Sequence, residues 1–145
     1  MDRAVVGRKL EALRHCVQRL RMRRAASVEQ LAADADLQDV LVLNLSRAVQ
    51  LCVDIAAHLL SDTAQPIPRT MGETFARLAD ADLIDADLAQ RLQRAVGFRD
   101  LAVHQYEAID WAIVQALTGE PLADFDRFAL AVAQVLHDTG NDAAV

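Results

Sequence analysis

The stretch DLQDVLVLNLSRAVQLCVDIAAHLL, residues 36–60, decides the fold. Within it Leu41, Leu45, Ala48, Cys52, Ile55 and Leu59 recur at alternating intervals of four and three, which keeps one stripe of an α-helix turned toward a partner. Val49 and Ala56 widen that stripe into a core-facing band, and the spacing predicts a long helix over Asp36–Leu60. The short Val40–Leu43 run is the one place where β-branched residues cluster, and it lies inside the helical rhythm. Asn44 and Asp54 interrupt the pattern. They either line a groove or face water, and ordinary burial preferences favour water.

Working outward, the same rhythm runs through Val6, Leu10, Leu13, Val17 and Leu20, predicting a first helix from about Asp2 to Arg24 whose arginine-rich end suits the helix dipole. Ser27 with Gln30 is a capping-box pattern for a short turn through Ala33, after which Asp34 and Asp36 mark a loop or a helix start. Beyond Leu60, Pro66 and Pro68 remove backbone donors and stop the helix. Thr70 with Glu73 opens another short helix bearing Met71, Phe75 and Leu78, and Asp85 caps one bearing Leu88, Leu92 and Val96. The path beyond Gly97 is left open by the pattern. Asp110 caps Trp111–Leu117, and Pro121 suits the first turn of a last helix carrying Leu122, Phe125, Phe128, Val132 and Leu136, with fraying expected from about residue 140. The expectation is all-α: one domain over residues 1–145, an antiparallel helical bundle with short connections.

Composition supports this. The chain has 145 residues, enough to bury roughly 70% of its unfolded surface around one core. Its residues are 53% hydrophobic and 25% charged, too apolar for disorder and too interrupted by charge for a membrane span. The 5 glycines and 3 prolines are too few for the turns of a many-stranded β fold. The net charge of −6 gives no bulk attraction to nucleic acid, although Arg14, Arg19, Arg21, Arg23 and Arg24 fall close together as a local basic patch or a solvated helix end. The start, Met1-Asp2-Arg3-Ala4, lacks a basic-then-apolar leader, and Cys16 and Cys52 sit in apolar helical patterns without C-x-x-C spacing. A reducing cytoplasm is expected.

Most candidate chemistry fails on inspection. The chain has no glycine-rich phosphate loop, no H-E-x-x-H, no G-x-S-x-G and no clustered cysteine ligands. His15, His58 and His137 stand on three separate helices without ligand-spaced companions, so no metal site is expected from them, and no cofactor. What survives is GFRDLAVHQYEAID, residues 97–110, which gathers Arg99, His104 and the chain's one tyrosine, Tyr106. Given that tyrosine, chance supplies a histidine two before it and an arginine seven before it at roughly 0.3%, so the trio is weighed as a unit. Singly, Arg99 reads as a solvated helix residue, His104 as a half-buried imidazole and Tyr106 as an interfacial aromatic. Together, a guanidinium fork that holds phosphate and an imidazole that moves protons near neutral pH are what metal-independent phosphodiester chemistry needs. On an unbroken helix Arg99 and Tyr106 stand about 20° apart, but His104 about 140° from Arg99. A backbone break or a second chain must therefore close the site, and an isologous dimer that faces each Arg99 with its partner's His104 meets that need.

These residues resemble the HEPN superfamily, and specifically the HepT toxins, whose signature is R-x4-H-x-Y within a G-F-R-N-x-x-V-H-x-Y-x-x-I-D string. Arg99, His104 and Tyr106 fill the three signature positions, and Asp100 stands where the string has Asn. The likeness extends through Leu37-Gln38-Asp39, the Leu45–Ala57 helix, the proline-containing break, Phe75–Leu78 and Asp110. The resemblance implies a helical bundle of the HEPN type, a homodimer, and a toxin of a type II or type VII-like toxin–antitoxin module that cuts RNA without metal. Its implied partner is a cognate MntA-like nucleotidyltransferase antitoxin that transfers AMP onto the motif tyrosine, here Tyr106. Under that reading Arg99 and His104 are catalytic, Asp100 and Tyr106 support them, and Asp100 orients either His104 or Arg99. The competing reading is a non-enzymatic helical subunit that binds the nucleotidyltransferase and is modified by it. The net charge of −6 favours this second reading and the intact arginine–histidine pair the first.

Overall fold

A computed structural model describes the backbone of residues 1–143 and the side chains through residue 140. All but the last of its α-helices begin where a short polar side chain takes an amide that the first turn leaves without a partner. Helix α1 (Arg3–Arg23) starts at Asp2, which accepts from Val5 N at 3.1 Å. Ser27 accepts from Gln30 N to open α2 (Val28–Ala32), and Gln30 Oε1 reaches back to Ala26 N at 2.7 Å. Asp34, rather than Asp36, caps α3 (Ala35–Leu60), accepting from Leu37 N at 3.0 Å. Thr70 and Asp85 do the same for α4 (Met71–Asp80) and α5 (Ala86–His104). A 3-10 turn at Tyr106–Ala108 leads to Asp110 and α6 (Trp111–Leu117), and α7 (Leu122–Ala143) follows Pro121.

Ion pairs give the helix directions. The Met1 amine meets Asp62 at 2.8 Å and Lys9 Nζ meets Asp54 at 3.5 Å, so α1 and α3 run antiparallel. Arg21 pairs with Asp126 while Arg3 Nη1 donates to Leu136 O at 2.5 Å, which sets α7 antiparallel to α1. Arg127 with Asp85, and Arg91 with Asp124 farther along, set α7 antiparallel to α5 as well. Helix α3 lies at the centre, packed against α1, α4 and α5. Its Leu41, Ala48, Cys52, Ile55 and Ala56 have no exposed surface, and Phe75 of α4 meets Phe128 of α7 edge to face at 6.1 Å, an arrangement worth about 0.5–1.5 kcal/mol beyond area burial.

Two expectations are revised, and one open point is settled. The path beyond Gly97, which the pattern leaves open, is helical: α5 continues unbroken to His104. The fraying expected from about residue 140 lies at and beyond the edge of the described residues; before it, Arg3 bonds Leu136 O and the Thr139 hydroxyl and holds α7 against α1. Asn44 does not face bulk water, and Asp54 is only partly exposed. Helix α1 lies across that side of α3, so Asn44 is buried, donating to Val40 O at 2.8 Å, and both line a groove with His15, Arg19 and Arg47. Finally, α3 is by length and composition apolar enough to cross a bilayer, but more than half of its apolar window is buried against the other helices.

Candidate functional site

The segment from Arg99 to Tyr106 straddles the end of α5. Arg99 and His104 are helical, and the backbone then leaves the helix at Gln105, whose φ of −142° and ψ of 56° turn the chain into the Tyr106–Ala108 turn. The break thus falls after the histidine. It removes Tyr106 from the helical position that would place it beside Arg99, and it leaves Arg99 and His104 about 140° apart around the same axis.

Arg99 is partly buried, with 22% of its side chain exposed, and Nη1 lies 3.5 Å from Asp100 Oδ1. Of the two partners open to Asp100, the contact is with Arg99, and at that length on the surface it is a weak tether that leaves most of the guanidinium fork free. His104 is exposed on the last residue of α5, bordered by the exposed Val103. Among the described residues no three His, Cys, Asp or Glu side chains converge as a ligand set.

Tyr106 is held from two sides. Its ring meets Trp111, the first residue of α6, edge-on at 6.1 Å, and its hydroxyl donates to Asp39 Oδ1 at 2.5 Å. Partial burial, the hydrogen bond to Asp39 and the carboxylate charge together push the phenol up to about 12, in that order of importance, so it stays protonated at neutral pH. Asp39 is the residue whose role the sequence pattern misses. It lies 67 positions from Tyr106, and α3 periodicity shows only that it is off the buried stripe. Trp111 was legible as a helix start but not as the shelf for the tyrosine ring.

The basic cluster on α1 is largely occupied with structural work: Arg14 pairs with Glu11, Arg21 with Asp126, and Arg24 donates to Gln115 O at 3.3 Å. Arg19 lines the groove between α1 and α3.

Residues 11–132 match the family model described as Ribonuclease HepT-like. The mRNA nuclease HepT of Shewanella oneidensis is 32% identical over 124 residues, covering 86% of this chain and 92% of that protein. A crystal structure of a toxin–antitoxin complex with AMP-PNP superposes with a TM-score of 0.84 at 29% identity, over 90% of this chain and 98% of the other. The tri-AMPylated Shewanella oneidensis HEPN toxin in complex with MNT antitoxin gives 0.83 at 30% identity, over 92% and 98%. With the helical bundle and the arginine, histidine and tyrosine in signature spacing, the chain belongs to the HepT-like ribonuclease family.

Proposed function

We propose that this chain is the endoribonuclease toxin of a toxin–antitoxin module, acting as a cytoplasmic homodimer and silenced by a nucleotidyltransferase that attaches AMP to Tyr106. The observation that carries the reading is the full R-x4-H-x-Y constellation, set at the exposed end of α5 in a chain that matches HepT-like ribonucleases over most of its length. Arg99 holds the phosphate of the scissile bond and stabilises the charge that develops on it. His104 takes the proton of the RNA 2′-hydroxyl or returns one to the departing oxygen. Asp100 tethers the guanidinium.

Support for the dimer comes from the divergence of Arg99 and His104 on one helix and from exposed apolar side chains on the helices that carry the site and its supports. Leu43 follows Asp39 by one turn of α3, Val103 precedes His104 on α5, and Ile113 lies on α6 beyond Trp111, each about half exposed. Such a fringe suits burial against a second copy. AMP on Tyr106 adds a bulky phosphodiester anion two residues from His104, which obstructs RNA at the proposed site and offers Arg99 of either copy a competing phosphate.

The test is cleavage of RNA by purified protein with and without chelator. His104→Ala and Arg99→Ala should lose activity with helical content and self-association intact. Arg99→Lys should rescue poorly, because an ammonium lacks the bidentate fork. With the partner transferase and ATP, the wild type should gain the mass of AMP and stop cutting, whereas Tyr106→Phe should not be modified. Cleavage by the His104→Ala protein at the wild-type rate would end the assignment.

A further inference from the structure

Transfer of AMP to a phenol needs somewhere for the phenol's proton to go. As the Tyr106 oxygen forms its bond to the α-phosphorus of ATP, the bond from that phosphorus to the pyrophosphate oxygen breaks, pyrophosphate leaves with the electron pair, and the phenolic proton must be taken up. A phenol that is protonated at neutral pH is a poor nucleophile until that proton begins to move.

We propose that Asp39 is the proton acceptor: its Oδ1 takes the hydroxyl proton of Tyr106 as the oxygen–phosphorus bond forms, so the toxin carries in its own α3 the base for its modification. The proposal rests on the reading of Tyr106 as the site of adenylylation. The geometry is in place before any partner binds. The donor–acceptor separation is 2.5 Å, within reach for direct transfer, and the ring cannot swing freely because Trp111 braces its edge. Asp39 lies in the second turn of a 26-residue helix whose start is fixed by the Asp34 cap, so the carboxylate is carried on a rigid element. It is exposed and can pass the proton on to water. Other acids close in sequence are placed less well: Asp110 Oδ1 is engaged by Ala112 N at 2.9 Å, and Glu107 lies on the exposed turn with Tyr106 itself. In the resting protein the same bond holds the phenol neutral and aimed, which explains how one exposed hydroxyl is selected over the chain's serines and threonines.

The experiment measures AMP addition to wild type, Asp39→Asn and Asp39→Glu by intact mass at saturating transferase and ATP, alongside each protein's affinity for the transferase. Asp39→Asn should react about 100-fold slower with unchanged affinity, the usual scale for losing a general base. Its rate should climb about tenfold per pH unit as phenolate accumulates, while the wild-type rate stays flat near neutrality. Asp39→Glu keeps a carboxylate and should recover part of the loss. Because position 39 is exposed, circular dichroism should match across the three. Modification of Asp39→Asn at the wild-type rate overturns the proposal, as does a deficit that disappears at saturating transferase, which would make Asp39 a docking contact. Asp39→Glu as slow as Asp39→Asn also overturns it. If the wild type gains no AMP, the adenylylation reading falls and takes this one with it; if the wild type gains AMP and Asp39→Asn does so equally, only the role of Asp39 falls.

Discussion

Arg99 and His104 stand five residues apart on one unbroken helix and project from its axis about 140° from each other. Under the proposed roles, a phosphate gripped by the guanidinium of one chain would be turned away from the imidazole of the same chain. In the homodimer proposed above, a second copy related by a twofold axis would bring the missing group, since an isologous contact places each residue opposite its counterpart's surroundings.

This yields a complementation prediction. Arg99→Ala and His104→Ala homodimers should each be inactive, but a mixture allowed to exchange subunits should recover activity, because each heterodimer retains one site with both groups. With random exchange half the dimers are mixed and each has one site of two, so recovery should reach about a quarter of the wild-type rate. RNA cleavage after co-refolding the two variants checks it. No recovery, with mixed dimers demonstrated by native mass spectrometry, would place both groups of a site in one chain.

Much of the scaffold was legible because its causes are local. Periodicity in α1 and α3 and the caps Ser27, Thr70, Asp85 and Asp110 depend on neighbours within a few residues, and each appears where the pattern put it. The signature trio was legible as spacing. The Tyr106–Asp39 bond was not, because it joins positions 67 apart and depends on where the chain leaves the helix after His104. Asn44 was misjudged for a related reason: helical phase says which way a side chain points, but not that α1 will cover it.

The two thiols offer a check on the core. Cys52 is wholly buried at the heart of α3, and burial, reinforced by the nearby Cys16 thiol, pushes it well above the ordinary thiol range. Cys16 is raised by burial too, an effect opposed by Arg47 and Arg19. Since the thiolate is the reacting form, both should resist a thiol reagent in the native protein and react together on unfolding. Cys16 should be the faster where native reactivity is measurable. Rapid native labelling of Cys52 would contradict the packing of α1 on α3.

Gly7 sits inside α1, where a methyl group would meet nothing within 4 Å. Glycine there carries the entropic cost of a flexible backbone without any gain in packing. Gly7→Ala should stabilise the protein by about 0.5–1 kcal/mol, read as a higher denaturant midpoint with unchanged m. A lower midpoint would mean that another chain approaches α1 at this turn.

Tyr106 is the chain's one tyrosine, so phenolate absorbance titrates a single group. In the folded protein its midpoint should fall at about 12, against 10 for an ordinary phenol. The sign for stability follows from this ordering. The folded state holds the proton more tightly than the unfolded state, so the contribution is fully present below pH 10 and is lost as pH rises from 10 to about 12. Asp39→Asn removes the hydrogen-bonded carboxylate and its charge but leaves the burial, which is the larger cause. The midpoint should therefore drop below the wild-type value without returning fully to 10, and the loss of stability in base should begin and end over a correspondingly narrower range. Spectrophotometric titration with circular dichroism recorded at each pH separates ionisation from unfolding. A wild-type midpoint at 10 in protein that is still helical would show that Asp39 does not hold the hydroxyl in solution, while an unchanged midpoint in Asp39→Asn would assign the whole shift to burial.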